Sequence, residues 1–180
     1  GKDTADIEAA IAANTAESIA LDAAIEGEVI DNLIIQDNST AGTNLRALYR
    51  NGITGDLTVE NSYLDGTYAM NVTADEAANA VLTVEGTTLA GWTSYSGWKS
   101  VSFTDCTFKA NSNPEIYNNI RPYDDTAFVN CEFKGTTFWM DNFDGTEVTF
   151  EGCTVNGEPL TAELLNAMVV EGDTTKMIIK

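Results

Sequence analysis

Apolar and polar side chains alternate in six short runs of this chain, and the six runs can be laid over one another. They cover residues 33–42, 57–66, 82–91, 101–110, 126–135 and 148–157. Their shared pattern is apolar, any, apolar, any, turn residue, small residue, any, apolar, any, and then glycine in most runs. A period of two is that of a strand buried on one face. The turn column reads Asp37, Asn61, Gly86, Asp105, Asn130 and Gly152. These residue types enter left-handed backbone at the least cost. One of them between two alternating arms predicts a strand that bends sharply without ending.

The turn residues recur every 19–25 residues, a period that indicates a solenoid. In the second run Leu57 and Val59 point one way and Thr58 the other. After the bend at Asn61, Ser62 and Leu64 point back to the same interior. The same rule buries Val101, Phe103, Cys106 and Phe108, then Phe128, Cys131 and Phe133, then Val148, Phe150, Cys153 and Val155. A single rung cannot bury its own apolar face, whereas rungs stacked about 4.8 Å apart can. A third strand per rung is expected at 45–50, 68–72, near Tyr95, at 115–121 and at 137–143. The longest loops fall at 74–80 and 110–114. The ends break the pattern. An amphipathic helix over 3–14 carries Ile7, Ala10 and Ile11 on one face, a helix over 160–168 follows Pro159, and a strand over 176–179 closes the chain.

The rung sequences VSFTDCTFKA, AFVNCEFKG and VTFEGCTVNG resemble the right-handed parallel β-helix of the pectate-lyase-like superfamily. The resemblance runs over roughly residues 18–157. The bend at Asn61 and Asn130 is similar to that family's asparagine-ladder turn, and the whole looks like surface β-helix proteins of gut bacteria. The expected fold class is therefore all-β: a right-handed, single-stranded parallel β-helix of about six rungs in one domain over 1–180. Residues 3–14 form the cap helix, 18–157 the rungs, and 158–180 a C-terminal cap of a short helix plus a closing strand. For enzymes of the superfamily the resemblance implies a cleft along the third-strand sheet, a calcium-binding acidic cluster and a catalytic Arg or Lys. No matching cluster is evident in this sequence.

Composition narrows the function classes. The chain has 28 acidic and 9 basic residues, a formal net charge of −19, which repels nucleic-acid backbones and anionic membranes. No nucleic-acid partner is expected, and no run of apolar residues is long enough for a transmembrane segment. There is no histidine, which removes the commonest general base and the commonest zinc ligand. The three cysteines, Cys106, Cys131 and Cys153, lack a CxxC spacing and fall in the small column, so a ladder of buried thiols is expected. The acidity and the Thr-, Asn-, Asp- and Gly-rich repeat suit an extracellular or cell-surface protein, with no signal segment in this sequence.

Candidate chemistry lies on the third strands. If Ile116 and Ile120 point inward, Glu115, Tyr117, Asn119 and Arg121 point out. If Phe138 and Met140 point inward, Trp139 and Asp141 point out. Asn71, Arg46 and Arg50 can join the same stripe. Aromatic faces that stack on sugar rings, beside Asn, Asp and Arg that bond hydroxyls, make a groove for polysaccharide or host glycan. The ligand set is Tyr117, Asn119, Arg121, Trp139, Asp141, Asn71 and Arg50. An ordinary polar sheet face reads the same way. Were the groove catalytic, Arg121 would be the base and Asp125 and Asp141 the carboxylates, as in a small polysaccharide lyase or glycoside hydrolase. No metal site or cofactor is assigned. Calcium is the cation these carboxylates could take, although no DxDxDG loop occurs. Trp92, Tyr95 and Trp98 form a second cluster, in a Gly/Ser-rich segment that either flanks the groove or pins a loop. The expectation is a secreted or surface β-helix that binds carbohydrate without catalysis. The alternatives are the enzyme just described and a structural module of a larger adhesin.

Overall fold

The computed structural model describes residues 18–20 (backbone only), 28–38, 44–112 and 117–180. The expected helix over 3–14 lies outside them. The chain winds as a parallel β-solenoid of about six turns. A strand β1 (Ser18–Ala20) precedes the first rung, which is built from β2 (Glu28–Asp31), β3 (Ile34–Ile35) and β4 (Arg46–Ile53). The second rung is β5 (Leu57–Glu60) and β6 (Tyr63–Ala74), and the third is β7 (Val81–Glu85) and β8 (Thr88–Ser96). In β6 and β8 the second and third arms run together as one long strand. The fourth rung is β9 (Ser100–Thr104), β10 (Thr107–Lys109) and β11 (Asn119–Pro122). The fifth is β12 (Thr126–Val129), β13 (Glu132–Lys134) and β14 (Thr137–Met140). The last comprises β15 (Val148–Glu151), β16 (Thr154–Val155), a short antiparallel return β17 (Glu158–Pro159), the helix α1 (Ala162–Met168) and β18 (Val169–Gly172). A closing strand β19 (Met177–Ile179) stacks on β15.

First arms pair in the order β19-β15-β12-β9-β7-β5-β2, and second and third arms pair in the other sheet. Successive rungs are in register: Val59 faces Val84, Phe103 faces Phe128, and Phe128 faces Phe150. Inward positions therefore stack like on like. Phe103, Phe128 and Phe150 are stacked with ring centroids 5.2 Å apart at each step, and Phe108 and Phe133 repeat this on the second arm at 5.3 Å. All five rings are buried, and each contributes roughly 1.5–3 kcal/mol of transfer free energy.

The bend is left-handed at Asn61 (φ 48°), Gly86 (53°), Asp105 (53°), Asn130 (51°) and Gly152 (64°), as the turn column predicts. The ladder continues across it: Asn61 N donates to Glu85 O (3.0 Å), Asp105 N to Val129 O (2.9 Å) and Asn130 N to Glu151 O (2.8 Å). The first rung departs from the expectation. Its bend is Asn32 (φ 55°), not Asp37. Glu28 pairs with Leu57 and Ile30 with Val59, so the rung begins five residues earlier than the aligned run 33–42. The pattern misleads here because Glu28 holds the first apolar position and Leu33 the small one.

The small column has a common task. Ser62 Oγ donates to Glu60 O two residues back (2.8 Å) and accepts Leu33 N from the rung before (3.1 Å). Thr87 does the same with Glu85 O (2.9 Å) and Ser62 N (3.3 Å). Cys106, Cys131 and Cys153 continue it, each Sγ reaching a carbonyl two residues back at 3.3, 3.4 and 3.6 Å. A hydroxyl or thiol is needed there because the N–H after each bend is buried and would otherwise lack an acceptor.

Candidate functional site

The candidate site is the outer face of the third arms. Register sets two outward rows across it. One runs Arg46–Tyr68–Trp92, and the other Tyr49–Asn71–Ser94–Arg121. Asn119 and Trp139 follow on the next strands, outward because Ile120 and Phe138, which pair with each other, are buried. The inward and outward alternation expected for β11 and β14 is thus observed.

Aromatic rings and guanidinium groups touch in an unbroken row along the solenoid axis. The Arg46 guanidinium lies 4.5 Å from the Tyr49 ring and 5.3 Å from Tyr68. Tyr68 stacks on Trp92 with centroids 4.9 Å apart and planes 9° from parallel. Trp92 meets Trp139 edge-on at 5.6 Å. Arg121 lies 5.8 Å from Trp139 and 5.6 Å from Tyr123. All seven side chains are partly exposed. The Tyr68–Trp92 spacing is that of the rungs, so these ring faces turn toward each other along the axis rather than toward solvent. This changes the expected chemistry: around Tyr68 and Trp92 the stripe offers ring edges, guanidinium N–H groups and amides, and no open ring faces. The indole Nε1 atoms of Trp92 and Trp139 are buried without a hydrogen-bond partner.

The remaining expected ligand residues divide. Asn71 lies in the outward row. Asn119 donates through Nδ2 to Thr137 Oγ1 (3.2 Å). Tyr117 is tied by its backbone to Asn111, whose Oδ1 accepts Tyr117 N (2.8 Å). Glu115 and Ile116 lie outside the described residues. Arg50 pairs with Val72, and Val72 with Tyr95. That column points inward, so register takes Arg50 off the outward row. Trp92, Tyr95 and Trp98 sit on or just after one continuous strand, not in a loop. Tyr95 is buried with its hydroxyl 3.0 Å from Thr126 Oγ1, and Trp98 donates Nε1 to Val72 O (3.2 Å). Those two pin the rung and only Trp92 faces the stripe. Tyr49, Tyr68 and Tyr123 are additional members. Strict alternation from the buried Met70 would place Tyr68 inside; the register shift between the two turns it outward, so the period-two pattern does not find it.

Of the three catalytic candidates, Arg121 and Asp141 meet and Asp125 does not join them. Arg121 donates to Asp141 through Nε (3.1 Å) and Nη2 (2.5 Å). The bond to Asp141 holds the guanidinium above its already high ordinary pKa. Asp125 is on another edge of the solenoid, where it accepts Thr146 N (2.5 Å), Glu147 N (3.0 Å) and Thr146 Oγ1 (2.8 Å). Burial alone would raise its pKa, but these bonds outweigh it and hold the carboxyl below the ordinary range. Its neighbour Asp124 is pushed the other way by burial, although Trp98 N donates to it (3.0 Å). The thiols form no disulfide. Thiol–thiol hydrogen bonding with Cys106, helped by burial, pushes Cys131 up to about 12, and Cys153 is raised by its bond to Cys131 and by burial.

Neither of two pockets outside the stripe gathers catalytic groups. One, of about 140 Å³, lies against Asp125, Glu147 and Thr149, and one of about 350 Å³ lies beside α1 at the C-terminal end. Among the described residues no three His, Cys, Asp or Glu side chains are grouped to hold a metal ion. No helix there is long and apolar enough to cross a membrane. No family model, curated protein or solved structure matches the chain.

Proposed function

We propose that this chain is a pectate-lyase-like β-helix, exposed outside the cell, that binds a carbohydrate chain along its third-arm face without catalysis. One observation carries this reading: the row from Tyr49 through Arg46, Tyr68, Trp92, Trp139 and Arg121 to Tyr123. It crosses five rungs, about 19 Å at a spacing of about 4.8 Å. In a chain of net charge −19 it places two of the three arginines on one face. The outward groups offer both donors and acceptors, namely guanidinium N–H, the Asn71 and Asn119 amides, tyrosine hydroxyls, the Asp141 carboxylate and electropositive ring edges. Sugar hydroxyls bond to both kinds, and ring oxygens accept from the donors. Trp139, on the last of the five rungs, adds a partly exposed indole.

The Arg121–Asp141 pair supports binding over lyase chemistry. A guanidinium acting as base must lose a proton, and this one is held more firmly by its partner. A glycan array tests the reading. Binding is expected for the wild type and weakened in Trp139→Ala and Tyr117→Ala. An array without binding, or one unchanged in both variants, removes the proposal. Release of unsaturated uronate product, lost in Arg121→Ala, would establish the enzyme instead.

A further inference from the structure

Asparagine followed by glycine occurs twice in the chain, at Asn51-Gly52 and at Asn156-Gly157. Such a pair carries its own chemistry. Glycine has no side chain to obstruct its backbone nitrogen, which can reach the amide carbon of the asparagine before it. Exposure does not separate the two pairs. All four residues are exposed, and a Cβ on either glycine would meet nothing within 4 Å.

Their bonding does separate them. Asn156 and Gly157 form the tip of the β16–β17 hairpin, with left-handed backbone at φ 49° and 83°. Asn156 N donates to Phe133 O (2.9 Å), its Oδ1 accepts Gly135 N (3.2 Å), and Gly157 N donates to Glu132 Oε1 (2.9 Å). The last bond occupies the nitrogen that would attack. The carboxylate's charge also disfavours the anion that this nitrogen must become. Asn51 and Gly52 instead lie in a bulge of β4. From Arg50 to Ile53 that strand advances three residues, while β6 advances two, from Val72 to Ala74. Neither Asn51 nor Gly52 has a register partner on β6. Among the described residues the Asn51 side chain makes one hydrogen bond, from Nδ2 to the Tyr49 hydroxyl (2.7 Å).

We propose that Asn51 is a site of self-modification, converting to aspartate and isoaspartate in the folded protein. Hydroxide takes the Gly52 N–H proton, and the nitrogen attacks Asn51 Cγ. The bond from Cγ to Nδ2 breaks, and Nδ2 leaves as ammonia with a proton from water. The cyclic imide then takes up one water at either of its carbonyls and opens to aspartate or isoaspartate. One water is consumed and one ammonia released, with no oxidation or reduction. The product carboxylate accepts from the Tyr49 hydroxyl where the amide had donated. It brings a negative charge to the ring that the Arg46 guanidinium covers at 4.5 Å. This end of the outward row therefore changes its charge as the protein ages, whatever the row binds.

The test holds the full chain folded at mildly alkaline pH and follows both sites by peptide mapping with mass detection and isoaspartate-specific methylation. Asn51 should convert at least about tenfold faster than Asn156, whose three tethers must open first. In urea the two rates should converge. Glu132→Ala should raise the Asn156 rate and leave that of Asn51 unchanged. Equal rates in the folded protein overturn the proposal, as does an Asn51 that converts only on unfolding. So does an Asn156 rate unmoved in Glu132→Ala.

Discussion

Arg121 grips both carboxylate oxygens of Asp141, through Nε at 3.1 Å and Nη2 at 2.5 Å. The pair joins neighbouring rungs at the edge of the stripe, and each side chain is about one-fifth exposed. Its geometry is bidentate but its surroundings are wet, so its worth to the fold is small. Asp141→Asn should change unfolding free energy by no more than about 1 kcal/mol. Urea denaturation at low and at high salt checks this, and the difference should shrink at high salt.

Asp124 and Asp125 are adjacent but respond to pH with opposite sign. Asp125 is held below the ordinary range, so its contribution is present above the unfolded-state value near 3.9 and is lost as pH falls through its folded value. Asp124 is raised by burial, so its contribution is present while it is protonated and is lost as pH rises from about 3.9 through its folded value. Asp125→Asn should cost roughly 1–3 kcal/mol at neutral pH and progressively less in acid. Asp124→Asn should remove a loss of stability that the wild type shows just above pH 4. Denaturation midpoints from pH 2.5 to 7 resolve the two slopes.

The bend column makes a steric prediction. A Cβ on Gly152 would lie 2.4 Å from Asn130 Oδ1, and on Gly86 3.1 Å from Asn61 Oδ1, both at positive φ. Alanine at either site should cost about 1–2 kcal/mol for left-handed backbone alone. Gly152→Ala should cost more than Gly86→Ala, because the Asn130 side chain must also move. Thermal unfolding of the two variants gives the order directly.

The cysteine ladder behaves as a hydroxyl column in another chemistry. Cys131 Sγ reaches Phe103 O and Val129 O at 3.4 Å each and accepts the Cys106 N–H. Cys131→Ser should remain within about 1 kcal/mol of the wild type, whereas Cys131→Val should cost roughly 1–3 kcal/mol by leaving a buried N–H unmatched. Burial of all three thiols predicts that a disulfide reagent at pH 8 labels them only as fast as the protein unfolds, and the raised pKa of Cys131 and Cys153 acts in the same direction, whereas the bond to Cys131 lowers that of Cys106.

Much of this fold is written in the alternation. Leu57, Val59, Phe103 and Phe128 point inward because the period of two and the bend residue agree on register. Agreement fails in the first rung, where Glu28 and Leu33 occupy positions of the opposite character and Asn32 is the true bend. The site is less legible for a related reason. Irregular register, as between Arg50 and Ile53 or between Tyr68 and Met70, moves a side chain between faces without any mark in the composition. Arg50 pairs with the inward Val72, and Asp125 directly precedes the first arm β12, so neither shares the face of Arg121 and Trp139. Tyr68 and Trp92 meet face to face only because two strands distant in sequence stack in register, a relationship carried by pairing rather than by local pattern.

The central claim is that the outer face of the third arms binds glycan. The most direct measurement is the affinity of the best array ligand for the wild type and for Trp139→Ala, at matched thermal stability. The account predicts at least about a tenfold loss, the scale expected of a large aromatic contact at a binding surface. Equal affinity in the two proteins, with the fold intact, would contradict it.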